Sequence, residues 1–135
     1  MAKSDAVVAS IRPCPCGSGK RYLECCELYI SGKRHVPTAE ALMRSRYTAY
    51  TLLDKAYLLK TWHPRSRMPI LDLKDQALCK WLGLEVRAYH RQDSRATVEF
   101  VARYKINGRA MQLHEVSKFE FEGGQWFYVD GDIRD

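Results

Sequence analysis

Four cysteines crowded into thirteen residues constrain this chain more than any other feature: Cys14-Pro15-Cys16, then Cys25-Cys26, in a sequence of 135 residues. So short a segment can bury almost no apolar surface of its own, and something else must organise it. In a reducing compartment, a tight cysteine cluster reads as a metal site before it reads as disulfides. Two thiolates one residue apart reach the same ion only if the backbone turns sharply, and Pro15, Gly17 and Gly19 supply that chemistry. Lys20 to Glu24 give the chain room to return with the second pair. A tetrahedron of four soft thiolates suits zinc best, with iron the main rival. Such a site is closed and structural, because no position is left for water or substrate. The competing reading is inert buried thiols or a labile disulfide.

Gly17-Ser18-Gly19-Lys20 resembles the end of a phosphate-binding loop but fails its pattern. The required earlier glycine is replaced by Cys14, and Arg21 follows the lysine where Ser or Thr is needed. Composition adds limits. No apolar run approaches the roughly 18–20 residues of a membrane-spanning helix, and residues 1–10 lack the apolar core of a signal peptide. The expectation is a cytoplasmic protein that makes no membrane contact. The net charge of +6 divides as +3 over residues 1–35, +4 over 36–83 and −1 over 84–135. That spread favours a solvated mixed surface over a dedicated nucleic-acid face.

Beyond Ser31-Gly32-Lys33-Arg34, which reads as a linker, the pattern becomes helical. Thr38 is a candidate N-cap, and Ala39, Leu42, Met43, Tyr50 and Leu53 recur at helical spacing. Asp54 opens a second helix, stopped before Pro64. Asp72 and Asp75 suggest a third helix through Leu78, Trp81 and Leu82, ending at Gly83, with Cys79 on it as an inert thiol. From Leu84 the period falls to two, giving strands near 84–91, 96–106, 109–122 and 125–131. Asn107-Gly108 and Gly123-Gly124 are two-residue hairpin turns. Helices followed by an antiparallel meander make an α+β fold. The expected organisation is a flexible N-terminus (1–10), a metal knuckle (11–32) and an α+β domain (33–135).

The segment Cys14-Pro-Cys-Gly-Ser-Gly-Lys-Arg-Tyr-Leu-Glu-Cys-Cys26 resembles the SEC-C motif, a zinc-binding element implicated in protein contacts. Thr38-Ala-Glu-Ala-Leu-Met-Arg-Ser-Arg-Tyr-Thr-Ala-Tyr50, Leu113-His-Glu-Val-Ser-Lys-Phe119 and Trp126-Phe-Tyr-Val-Asp-Gly131 are similar to the YchJ family, which joins that motif to a nuclear-transport-factor-two-like domain. The resemblance implies three helices packed on a curved four-stranded sheet around a conical cavity. It implies no biochemical activity.

The two turns fix a register. Ile106 faces Arg109, Tyr104 faces Met111, Ala102 faces Leu113, Phe100 faces Glu115 and Val98 faces Ser117. Phe121 then faces Trp126, Phe119 faces Tyr128 and Ser117 faces Asp130. One apolar face results, interrupted by Glu115, Ser117 and Asp130. A carboxylate there is costly unless paired or protonated. Arg46, in the stripe of the first helix, is the expected partner of Glu115 or Asp130, and loss of stability in Glu115→Gln is the expected consequence. His114 falls on the opposite face beside Val101, while His35, His63 and His90 read as surface residues.

Two functions follow. In the first, the knuckle binds a protein or ribonucleoprotein partner and the α+β domain is a scaffold; single-stranded nucleic acid is a minor option, since only Tyr22 and Tyr29 offer stacking. In the second, the cavity binds a small molecule or performs acid/base chemistry with Glu115, Asp130, Arg46 and a tyrosine, Tyr104 or Tyr128. The first is the leading reading, with no catalytic motif in view. A cavity filled by side chains favours the first; an open cavity with Glu115 at its floor favours the second.

Overall fold

A computed structural model describes residues 12–134, so the N-terminus taken as 1–10 lies outside the described residues. A 3-10 turn (Tyr22–Glu24) leads into α1 (Cys26–Ile30). Then come α2 (Ala39–Thr51), α3 (Lys55–Lys60) and α4 (Lys74–Ala77). Four strands follow: β1 (Cys79–Gln92), β2 (Arg95–Ile106), β3 (Arg109–Glu122) and β4 (Gln125–Arg134). They form one antiparallel sheet in the order β1-β2-β3-β4. The fold is α+β.

Local chemistry starts the two principal helices. Thr38 is extended, and its hydroxyl accepts the Ala41 N–H at 3.1 Å, which caps α2. Asp54 accepts the Tyr57 N–H at 3.0 Å and caps α3. Helix α2 is the centre of the molecule, with eight of its thirteen residues buried. Each of its buried polar residues finds a partner. The Ser45 hydroxyl meets the Tyr57 hydroxyl at 2.6 Å and the Leu42 carbonyl at 2.8 Å. Thr48 meets cysteine sulfur, and Arg46 meets α3. Leu42, Met43 and Tyr47 share one core with Val98, Phe100 and Phe119 of the sheet. A smaller core, Ala49, Tyr57, Leu58 and Leu71, lies under α3.

Two turns hold as read from the sequence. Asn107 and Gly108 have φ of 52° and 77°, and Gly123 and Gly124 have 61° and 85°, the positive values that such hairpins need. The β2–β3 register agrees throughout with the pairing derived from the Asn107-Gly108 turn. Phe121↔Trp126 and Phe119↔Tyr128 also hold. Ser117 instead faces Gly131, and Asp130 faces Lys118. Val129 is an extra residue in β4, a bulge that exchanges the two faces for everything beyond it. The bulge is held from outside the sheet. The Val129 carbonyl accepts from Trp62 Nε1 at 3.3 Å and Ser66 Oγ at 2.7 Å. Residues 61–63 bridge Tyr128 in parallel, with His63 N–H on the Tyr128 carbonyl at 2.7 Å.

The third helix is the main departure. Only Lys74–Ala77 is helical, and β1 begins at Cys79. Cys79 is therefore a strand residue, its Sγ 3.3 Å from the Asp75 carbonyl oxygen. Bulges at Leu82 and Arg87 place Trp81, Leu84, Val86 and Tyr89 opposite Tyr104, Ala102, Phe100 and Val98. Spacings of three, two and three replaced strict alternation, and the first of them imitated a helix. Leu78 and Leu82, counted in the helical stripe, are 67% and 48% exposed.

The Ser45–Tyr57 contact joins α2 to α3 with both partners buried. Ser45→Ala should cost about 1–3 kcal/mol in urea denaturation, since it strands the buried Tyr57 hydroxyl, and Tyr57→Phe should cost less, since Ser45 keeps the Leu42 carbonyl. The double variant should cost clearly less than the sum. Strict additivity would show that the contact contributes nothing.

Candidate metal centre and adjoining cavity

The cysteines converge because the loop carrying them is closed by its own backbone. Cys14 N–H donates to the Lys20 carbonyl and Tyr22 N–H to the Arg12 carbonyl, both at 2.9 Å. Gly17, at φ 76°, passes so close to β1 that a Cβ there would lie 3.1 Å from the Leu84 carbonyl oxygen. Cys25 follows the 3-10 turn, its N–H on the Tyr22 carbonyl, and Cys26 begins α1. All four sulfurs lie within 4.8 Å of one another. Four thiolates at about 2.3 Å from one ion sit about 3.8 Å apart. The Cys16–Cys25 sulfur separation of 3.7 Å agrees with that spacing.

The sulfurs are also packed and hydrogen-bonded. Cys14, Cys16 and Cys26 are buried and belong to the main core. Thr48 of α2 places its hydroxyl 3.3 Å from Cys26 Sγ and 3.7 Å from Cys14 Sγ. Ser18 Oγ lies 3.2 Å from Cys25 Sγ. Arg44 donates to the Cys16 carbonyl at 2.7 Å and is anchored by Glu40 at 3.1 Å. The thiols of Cys16 and Cys26 point at Cys14 and hold its pKa far below the ordinary thiol value. The same contact with Cys14 pushes Cys16 up to about 11 and also raises Cys26. Four sulfurs this close together, three of them buried, fit a cation at their centre. The donor set, its spacing and its burial fit one tetrahedral metal ion.

On the side of α2 facing the sheet lies a cavity of about 190 Å³. Phe100, Ala102 and Phe119 form its buried wall with Tyr47, and half-buried Trp81 and Tyr128 add aromatic surface. Arg46 and Glu115 both line it. They do not form the expected ion pair. Arg46 Nη1 donates to the Leu58 carbonyl at 2.7 Å and Thr61 Oγ1 at 2.6 Å. Its guanidinium lies 4.4 Å from the Tyr128 ring centre and 5.7 Å from that of Trp62. The carbonyl at the end of α3 and the ring of Tyr128 have taken the role assigned to a carboxylate. Glu115 Oε2 accepts from Ser117 Oγ at 2.5 Å. Burial raises the Glu115 pKa, and Ser117 and the charge of Arg46 offset this only in part.

Asp130, expected beside Glu115, is exposed on the other face because of the Val129 bulge. Its place opposite Ser117 belongs to Gly131, where a Cβ would overlap the Glu115 carboxyl. His63 is buried rather than on the surface, its Nε2 2.5 Å from Glu122 Oε2. His35 and His90 are exposed, and His114 faces away from the cavity, 2.7 Å from Glu99 Oε2. Tyr104 packs against Trp81 and lies outside the cavity lining. Sequence reasoning missed Gln76, Trp81, Thr48 and Gly131. Trp81 and Gln76 were hidden in the misread third helix; Gly131 was the only signal that could have located the crowded carboxyl.

The Glu115 shift has a definite sign. Its folded pKa lies above the ordinary carboxylate value of 4.5. The native state thus retains a proton that the unfolded chain releases, and stability falls as pH rises through that window. Glu115→Gln removes the loss. Urea titrations between about pH 4 and pH 8 should show the variant gaining on the wild type as pH rises above about 4.5 and then levelling. A variant less stable at neutral pH would mean that the carboxylate is paired after all.

Comparisons with known proteins agree with this architecture. The SEC-C motif profile matches residues 13–28, and that described as "YchJ, middle NTF2-like domain" matches residues 38–131. A UPF0225 protein of Cupriavidus metallidurans is 51% identical over 130 residues, covering 91% of this chain and 90% of that one. One from Bordetella pertussis is 50% identical over 124 residues, covering 90% and 92%. The solution structure of a SEC-C motif containing protein from Rhodopseudomonas palustris superposes with a TM-score of 0.81 at 37% identity, covering 90% of this chain and 98% of that one. The crystal structure of a SEC-C motif containing protein from Psychrobacter arcticus gives 0.78 at 29% identity, covering 95% and 86%. With a SEC-C cysteine cluster joined to an NTF2-like sheet and relatives matched along nearly their whole length, this chain belongs to the YchJ (UPF0225) family.

Proposed function

We propose that this protein is a small-molecule receptor whose cysteine cluster holds a structural zinc ion. The observation that carries the reading is the cavity: it is not filled by side chains, and Arg46 and Glu115 line it together. This is the condition that distinguishes a ligand-binding domain from a scaffold. Cys14, Cys16, Cys25 and Cys26 would hold the ion, which supplies cross-linking and no reaction step, because four thiolates complete its shell. Thr48 and Ser18 contact three of the sulfurs, and Arg44 fixes the loop that bears Cys16. Zinc is favoured over iron because a closed tetrahedron of thiolates is the usual shell of a structural zinc ion. Five free cysteines suit the reducing cytoplasm, and among the described residues no helix is long and apolar enough to cross a membrane.

A second reading rests on the outer edge of the knuckle. Leu23 is 41% exposed there, with Arg12, Lys20 and Arg21 also exposed. An apolar side chain among cations suits an acidic protein partner. Leu23→Asp would weaken such a contact without touching the sulfurs. An unchanged set of bound proteins in pull-downs that do recover partners with the wild type would remove this reading.

Protein purified under reducing conditions should carry about one equivalent of zinc by elemental analysis, lost in Cys26→Ser. Removal by a chelator should lower the melting temperature by several degrees or more, since binding energy here is folding energy. Less than about half an equivalent of any transition metal, with the thiols free to react, would overturn the metal assignment. For the receptor, thermal-shift screening of small ring compounds should find binders that Leu113→Phe, which narrows the cavity, rejects.

A further inference from the structure

The polar groups in the cavity wall are unevenly satisfied, and the imbalance describes a ligand. This inference rests on the receptor reading above. Two buried polar atoms among the described residues have no hydrogen-bond partner: Trp81 Nε1 and Gln76 Oε1. Both residues line this cavity. A stranded buried donor or acceptor costs about 1–3 kcal/mol, so two in one wall call for a partner that arrives from outside the chain.

Arg46 adds a third demand. It is 5% exposed, and among the described residues no carboxylate lies within ion-pairing distance of it. Its hydrogen bonds to α3 both leave from Nη1 and the Tyr50 hydroxyl is a further side-chain partner, so these contacts leave part of the five-donor guanidinium free. A guanidinium stays charged at neutral pH even where burial lowers its pKa. A buried cation with spare donors at an apolar wall is matched best by an entering anion, and a carboxylate fits its planar fork. Glu115 does not already fill that role: its carboxyl accepts from Ser117 and sits in the space that a side chain at residue 131 would take.

Size and surface complete the description. A cavity near 150 Å³ with an apolar lining accommodates benzene, so about 190 Å³ admits one substituted ring and little more. Phe100, Phe119, Tyr47, Tyr128 and Trp81 offer faces and edges to such a ring. A hydroxyl is both donor and acceptor, and it answers an indole N–H and an amide oxygen with one group.

We propose that the cavity binds a single-ring aromatic carboxylate bearing a hydroxyl, its carboxylate on Arg46 and its hydroxyl between Trp81 and Gln76. Tryptophan fluorescence and calorimetry on the full-length, metal-replete protein would use the three hydroxybenzoate isomers, benzoate, benzamide, phenol and benzylamine. At least one hydroxybenzoate should bind about 10-fold or more tighter than benzamide and phenol, with benzoate between and benzylamine weakest. Arg46→Lys should lose about 10-fold for the carboxylates and nothing for phenol. Trp81→Phe, which keeps the ring and removes the donor, should bring the best hydroxybenzoate down to the level of benzoate. Should Arg46→Lys fail to fold, the Trp81→Phe comparison and the charge series in the wild type still decide. Benzamide or phenol equal to the acids would overturn the carboxylate assignment and leave the receptor standing. Carboxylates bound without any advantage from the hydroxyl would overturn the pairing with Trp81 and Gln76. Absence of binding by every ring compound at about 5 mM would overturn the receptor reading itself.

Discussion

The contact between the cysteine sulfurs and helix α2 is the constraint on which this molecule depends. Thr48 meets Cys26 and Cys14, and Arg44 holds the Cys16 carbonyl. The knuckle thus donates its sulfurs to the same core that seats α2 on the sheet. A segment with so little apolar surface could not hold this position through burial alone. An ion bound by four thiolates would contribute the missing free energy at the point where knuckle and helix meet.

Helix α2 then carries the consequences across the molecule. Its knuckle side presents Arg44 and Thr48, and its sheet side presents Met43, Arg46, Tyr47 and Tyr50 to the cavity. Between them, Ser45 is pinned to Tyr57 of α3. A helix buried this extensively, with polar residues on several sides, keeps its position only because each polar group has a specific partner. The cysteine cluster and the cavity share this one helix, so the geometry of one is set together with that of the other.

The cavity owes its character to irregularities in the sheet. The bulges at Leu82 and Arg87 bend β1 and keep its large apolar residues on the inner face. The bulge at Val129 removes Asp130 from that face and brings Gly131 opposite Ser117. One carboxylate rather than two therefore lines the cavity with Arg46, and it occupies the space that a side chain at residue 131 would need.

Interactions between close neighbours in the chain were legible in the sequence. The cysteine spacing, the Thr38 and Asp54 caps, the two glycine-bearing turns and the β2–β3 register all depend on a few adjacent residues, and each stands in the structure. What only the tertiary structure decided involves partners far apart. Trp81 lies in a strand because Tyr104 and Tyr47 receive it, against a local pattern that suits a helix. Val129 bulges because Trp62 and Ser66, more than sixty residues earlier, take its carbonyl. Arg46 stacks on Tyr128 and bonds the end of α3, a choice that no spacing within its own helix records. Local periodicity encodes which face a residue prefers; the long-range hydrogen bonds decide where that periodicity is broken, and the cavity lies at the breaks.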